Sequence, residues 1–116
     1  MTDPLRDLRD ELRAFAAERD WDQFHSPRNL ATALAVEAAE LLEPFQWLTE
    51  EQSRDPAPAT RAAIEEELAD VLLYLVRLAD KLDVDLNAAA RAKIVRNAGK
   101  YPVDKARGSS RKYDAL

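Results

Sequence analysis

Glu66-Glu67-Leu68-Ala69-Asp70-Val71-Leu72-Leu73-Tyr74-Leu75-Val76-Arg77-Leu78 is the stretch on which the reading of this chain turns. At about 100° per residue, Ile64, Leu68, Val71, Leu75, Leu78 and Leu82 fall on one stripe, the periodicity of a helix. Leu72, Leu73 and Val76 lie off that stripe and leave the middle turns apolar nearly all round. Such a helix is buried on more than one side. In a chain this short, the second covering surface is expected from another subunit. The same stretch carries Glu67 and Asp70 three residues apart, on the flank of the stripe and in line with Tyr74.

Outward from this segment the chain reads as helical throughout. Ala, Leu, Glu and Arg are abundant and Gly occurs only twice, so strong helix formers dominate and strand-forming runs are scarce. Asp3-Pro4 is an N-cap followed by Pro at the first helical position. Leu5, Leu8, Leu12 and Phe15 then mark one face of a first helix that runs out near Arg19-Asp20. Trp21 to His25 is an aromatic-rich connection. Ser26-Pro27 repeats the start signal for a second helix with Leu30, Leu34, Leu41 and Leu48 on one stripe, its last turn loosened by Pro44. A polar loop is expected from Thr49 to Ala59, then a third helix capped by Thr60 and running to about Leu82. Asp85 caps a fourth, with Leu86, Ala89, Ala90 and Ile94 facing inward and Gly99 near its end. No helical period continues beyond Pro102. The expectation is an all-α, four-helix bundle, with a helical catalytic domain over residues 1–103 and a basic tail over 104–116.

Charge and composition narrow the function. The net charge is −5, yet residues 1–98 carry 12 basic against 20 acidic residues, while 99–116 carry five against two. An acidic body argues against duplex nucleic acid, whose affinity rests on phosphate contacts. The absence of cysteine excludes a disulfide framework, a Cys-ligated zinc and a cysteine nucleophile. No apolar run approaches the roughly 20 residues of a membrane span. Met1-Thr2-Asp3-Pro4 lacks the basic and apolar regions of a signal peptide. A cytoplasmic protein without a membrane partner is expected.

Within the second helix, Glu37 lies about 20° from Leu30, in the middle of the core-facing stripe. Glu40 follows one turn on, whereas Glu43 points away as a solvent charge. Two helices thus each present an acidic pair at i and i+3, the spacing of neighbouring side chains on one face. Paired acids on amphipathic helices are commonly surface charges, but burying four carboxylates without partners is costly or forces protonation. A bound cation removes that cost. Oxygen donors without His or Cys suit hard ions, with Mg²⁺ the first candidate and Mn²⁺ the second. The Glu-x-x-His pairs of di-iron bundles are absent, since the single histidine is His25 in a connection.

These residues resemble a known family. Glu37-Ala38-Ala39-Glu40, then Glu66-Glu67-Leu68-Ala69-Asp70, resembles the E-x-x-E and E-x-x-D double motif of MazG-like nucleotide pyrophosphohydrolases. Trp21 to Leu30, Phe45-Gln46-Trp47, Asp70 to Leu75, Lys100-Tyr101-Pro102 and Ser109 to Tyr113 are similar to segments of the dCTP pyrophosphatase branch. The resemblance spans about residues 8–114. It implies a four-helix bundle assembled as a homodimer or homotetramer. It also implies Mg²⁺-dependent hydrolysis of a nucleoside triphosphate, dCTP or a modified dCTP, to monophosphate and pyrophosphate. Carried over by position, Glu37, Glu40, Glu67 and Asp70 are the catalytic metal ligands, one glutamate also orienting or deprotonating the attacking water.

By the same resemblance, Trp21, Trp47 and Tyr74 enclose the base, His25 lies near the substrate, and Lys93, Asn97, Lys100 and Tyr101 face phosphate and sugar. One position departs: animal members of the branch carry a histidine where this chain has Leu12, and the 49–59 loop is shorter here. Both bear on which base is preferred. The competing readings are a related hydrolase acting on dUTP or a damaged nucleotide, and a non-catalytic, oligomeric helical interaction module.

Overall fold

The computed structural model describes residues 3–116, so Met1 and Thr2 of the opening segment lie outside the described residues. Among the described residues six α-helices occur in the order α1 (Pro4–Glu18), α2 (Pro27–Leu42), α3 (Glu50–Arg54), α4 (Pro58–Lys81), α5 (Leu86–Lys100) and α6 (Val103–Ala106). Among the described residues there is no strand, and no helix is long and apolar enough to cross a membrane. The chain is all-α, as its composition requires. It forms two compact units, Met1–Val84 and Asp85–Leu116.

Local chemistry sets the helix starts. The Asp3 carboxylate accepts from the Leu5 N–H at 3.0 Å, the Ser26 hydroxyl from Asn29 at 3.1 Å, and Asp85 from Ala88 at 3.0 Å. Each satisfies a backbone donor that has no partner inside the helix. Two boundaries differ from expectation. α4 begins at Pro58 behind Ala57, two residues before Thr60, because proline's fixed φ already suits the first helical position. The expected 49–59 loop contains α3, closed by a reciprocal capping box between Thr49 and Gln52.

Helix ends are equally local. Pro44 cannot donate to the helical ladder, so α2 stops at Leu42 and a 3₁₀ turn, Glu43–Phe45, follows. Leu48 is therefore not on the helix, contrary to the stripe read from sequence. α1 and α4 both end in Schellman motifs. In α1, Trp21 donates to the Ala16 carbonyl at 2.9 Å and Asp20 to Ala17 at 3.2 Å; in α4, Val84 donates to Ala79 at 2.8 Å and Asp83 to Asp80 at 3.1 Å. The residue in the left-handed position is an aspartate in each, with φ of 53° at Asp20 and 55° at Asp83. The first of these turns carries Trp21 to the head of the following connection.

In the first unit α4 is central and packs along α2 and against α1. Its core includes Ala16, Leu30, Ile64, Val76 and Ala79, with Leu30 only 2 % exposed. The α4 stripe is corrected here. On the stripe Ile64 is buried and Val71 and Leu78 are half-buried, but Leu68, Leu75 and Leu82 are exposed, Leu68 by 51 %; off it Leu72 is exposed too, while Arg77 is buried at 6 %. A helix apolar all round does not declare which face meets its neighbours. Arg77 goes inside because carboxylates from two segments meet it.

In the second unit, Leu86 is half-buried, but Ala89, Ala90 and Ile94 are exposed, against expectation. Gly99 lies within the last turn of α5. The segment after Pro102 is more ordered than its composition suggests, with α6 and a 3₁₀ turn at Tyr113–Ala115. Tyr113 meets Tyr101 edge-on at 6.1 Å, and the Lys100 ammonium sits 4.9 Å over the Tyr113 ring.

Candidate active site

Because α2 and α4 pack together, their acidic pairs converge. Carboxylate oxygens of Glu37, Glu67 and Asp70 lie within 4.8 Å of one another. Glu37, Glu40 and Glu67 are half-buried and Asp70 is exposed. One oxygen each of Glu37 and Glu67 is buried without a hydrogen-bond partner. That is an expensive arrangement for ionised carboxylates.

The electrostatics follow. Burial, then proton sharing with Glu40, then the charges of Glu40, Asp70 and Glu67 push the Glu37 carboxyl up to about 7. Glu67 is raised by burial first, then by Glu40, Asp70 and Glu43. Glu43 is exposed as expected, yet its charge is felt at Glu67, so it is no isolated solvent charge. Converging, partly desolvated oxygen donors with unpartnered atoms fit a hard divalent cation. The observation that supports the fit is the pair of buried, unpaired oxygens.

Beside the cluster is a cleft of about 160 Å³ lined by Leu12, Phe15 and Ala16 of α1, Trp21 and His25 of the connection, and Asp70, Leu73, Tyr74 and Arg77 of α4. Asp70 belongs both to the cleft and to the carboxylate cluster. Trp21 is steadied by an edge-to-face contact with Phe15 at 5.7 Å, whose ring also carries the Arg19 guanidinium at 3.6 Å. Trp21, His25 and Tyr74, singled out from sequence, therefore share one cavity with Asp70.

Arg77 was not among the expected site residues. Its Nε donates to Nδ1 of His25 at 3.1 Å, Nη2 to Asp22 at 2.6 Å and Nη1 to Asp80 at 3.4 Å. Lys81 also donates to Asp22, and Arg13 of α1 holds Asp80 through two bonds of 2.7 and 2.5 Å. His25 is held below its ordinary range, first by burial and then by the Arg77 and Lys81 charges. A sequence signal for Arg77 existed. Positions 70, 74 and 77 repeat at spacings of four and three, so Arg77 shares a face with Asp70 and Tyr74.

The remaining expected residues are not among those that line this cleft. Trp47 follows the 3₁₀ turn after α2, is 86 % exposed and does not line the cleft. Lys93, Asn97, Lys100 and Tyr101 belong to the second unit, the first three exposed and Tyr101 half-buried.

Comparison with known proteins identifies the family and its relatives. The model of the MazG-like family matches residues 32–116. The chain is 51 % identical over 114 residues to dCTP pyrophosphatase 1 of Homo sapiens, covering 97 % of this chain and 67 % of that protein. It is 50 % identical to the Bos taurus protein of the same name, covering 97 % and 68 %. A crystal structure of a pyrophosphatase from Archaeoglobus fulgidus superposes with a TM-score of 0.81 at 37 % identity, over 88 % of this chain and 95 % of that one.

Proposed function

Because this chain belongs to the MazG-like family and is a nucleotide pyrophosphohydrolase, we propose that its substrate is dCTP or a 5-modified dCTP, hydrolysed to the monophosphate and pyrophosphate. The observation that carries this reading is Asp70, which joins an aromatic cleft to a cluster of carboxylates. A nucleotide needs both features side by side, one for its base and one for its triphosphate.

Glu37, Glu40, Glu67 and Asp70 hold the cation, and Mg²⁺ is the ion that oxygen donors of this kind favour. When bound, it neutralises the triphosphate and acidifies the water beside it. The residues do the rest. Trp21 and Tyr74 flank the base, and the apolar surface of Leu12 and Leu73 excludes water from it. A glutamate oxygen without a protein partner takes the proton of the attacking water. Trp47, Lys93, Asn97, Lys100 and Tyr101 complete contacts to base, sugar and phosphates in this reading, on the strength of the family resemblance. The test is pyrophosphate release with Mg²⁺ across natural and 5-modified triphosphates. Preference for a deoxycytidine triphosphate is expected, and equal rates on all bases would refute it.

We also assign a homodimer or homotetramer. Leu68, Leu72, Leu75 and Leu82 leave one face of α4 apolar and exposed, more than a stable single chain of this size leaves uncovered. Light scattering is expected to give a multiple of 13.1 kDa, and a folded monomer at micromolar concentration would refute the assignment.

A further inference from the structure

We propose that Arg77 is a positioning residue: by donating its Nε–H to Nδ1 of His25 it fixes the imidazole in the Nε2–H form, so that the cleft offers a hydrogen-bond donor to an acceptor on the substrate base. This rests on the nucleotide reading given above and names the device by which one base edge is selected.

The direction of the Arg77–His25 bond is not open to choice. A guanidinium has five N–H donors, no acceptor, and stays charged in proteins. The imidazole nitrogen that meets it must therefore present a lone pair. A neutral ring with a bare Nδ1 carries its one proton on Nε2. Protonating Nδ1 as well would set N–H against N–H and add a positive charge beside Arg77 and Lys81. Asp22 opposes that effect but is itself engaged by both cations.

Arg77 is held as firmly as it holds. Asp22 takes Nη2, Asp80 takes Nη1, and Asp80 is gripped in turn by the two-pronged contact from Arg13. The guanidinium plane is thus fixed from the connection, from α4 and from α1. A buried charge contributes little to stability compared with an apolar side chain of similar volume. A chain concerned only with filling this space has Met or Leu available. What an apolar residue cannot do is decide which ring nitrogen bears the proton. That choice matters, because stacking on Trp21 and Tyr74 holds any base, whereas discrimination needs a polar group matched to the base edge. A cytosine edge supplies acceptors for an Nε2–H, in its carbonyl oxygen and its unprotonated ring nitrogen.

The chain has one histidine, so the tautomer is read directly from ¹⁵N signals of the labelled imidazole in the intact protein. In the wild type we expect Nε2 protonated and Nδ1 bare. In Arg77→Met the ring should become a mixture of tautomers. KM for dCTP should rise about twofold, because the base selects the Nε2–H form and an even mixture halves its population, with kcat unmoved. KM for a base-free deoxyribose triphosphate should not move. A protonated Nδ1 in the wild type overturns the proposal without any variant, so a poorly folding Arg77→Met leaves it testable. An unchanged tautomer in that variant, or an equal KM rise on the base-free compound, overturns it as well. A wild-type chain that cleaves no nucleoside triphosphate refutes instead the substrate reading. It is told apart because the tautomer signal needs no substrate.

Discussion

Titrating the metal-free protein with Mg²⁺ at several pH values interrogates the carboxylate cluster through its protons. A carboxylate binds metal only when ionised, so binding expels whatever proton the group carries. With the Glu37 carboxyl pushed up to about 7, it is about nine-tenths protonated at pH 6, about half at pH 7 and about one-tenth at pH 8. Mg²⁺ binding should release those fractions of a proton, with Glu67 adding to the count at the acid end because it too is raised. Apparent affinity should climb about tenfold per pH unit below 7 and flatten above it. Calorimetry in two buffers of different ionisation enthalpy measures the proton count. Glu37→Gln should remove its share of the release and nearly abolish turnover.

Stability follows with a definite sign. The folded-state value lies above the ordinary 4.5, so between the two the native state holds more protons than the unfolded one. This contribution is complete below about pH 4.5 and is lost as pH rises through about 7 in the metal-free protein. Saturating Mg²⁺ should reverse the trend. No proton release at pH 6, or the same release from Glu37→Gln, would refute the assignment of Glu37 to the metal.

Leu30→Ala, a truncation in the best-buried position of α2, should cost about 2.7–5 kcal/mol in urea unfolding; a loss under about 1 kcal/mol would mean the core is elsewhere. Trp47→Ala should leave stability within about 0.5 kcal/mol because the side chain is so exposed. It should still raise KM for the nucleotide by the equivalent of about 1–3 kcal/mol of stacking, with inorganic triphosphate unaffected; an equal loss on both would show a damaged fold. Removing residues 106–116 takes away Arg107, Arg111 and Lys112. kcat/KM should fall while the oligomer persists, and less so at high salt; full activity at low salt would exclude a phosphate role for the tail.

How much of this was legible depended on distance along the chain. Asp3, Ser26 and Asp85 announce their helices because a cap bonds a backbone only two or three residues away. Glu37 was placed correctly because its angle to Leu30 is fixed by helical geometry. Thr49 and Gln52 carry an equally local signal, inside the expected 49–59 loop and ahead of its prolines. Arg77 sits among apolar neighbours in the sequence, yet hydropathy places arginine in solvent. Its burial depends on Asp22, 55 residues away, and on Asp80 braced from α1. The exposed leucines of α4 show the same limit: period tells that a helix has faces, and only partners tell which face is used.

The two helix stops at Asp20 and Asp83 bear on how such an enzyme changes over generations. Each places a side chain in the left-handed region, where glycine is at ease and other residues are strained. Asp20 recovers part of the cost by accepting from Gln23 at 3.0 Å. A change to glycine at either stop relieves up to about 1 kcal/mol at a site that performs no chemistry. Most altered clefts are less stable than their parents. A lineage that reshaped the wall around Leu12 or Leu73 to admit a different nucleotide would have, at these two turns, a ready compensating mutation.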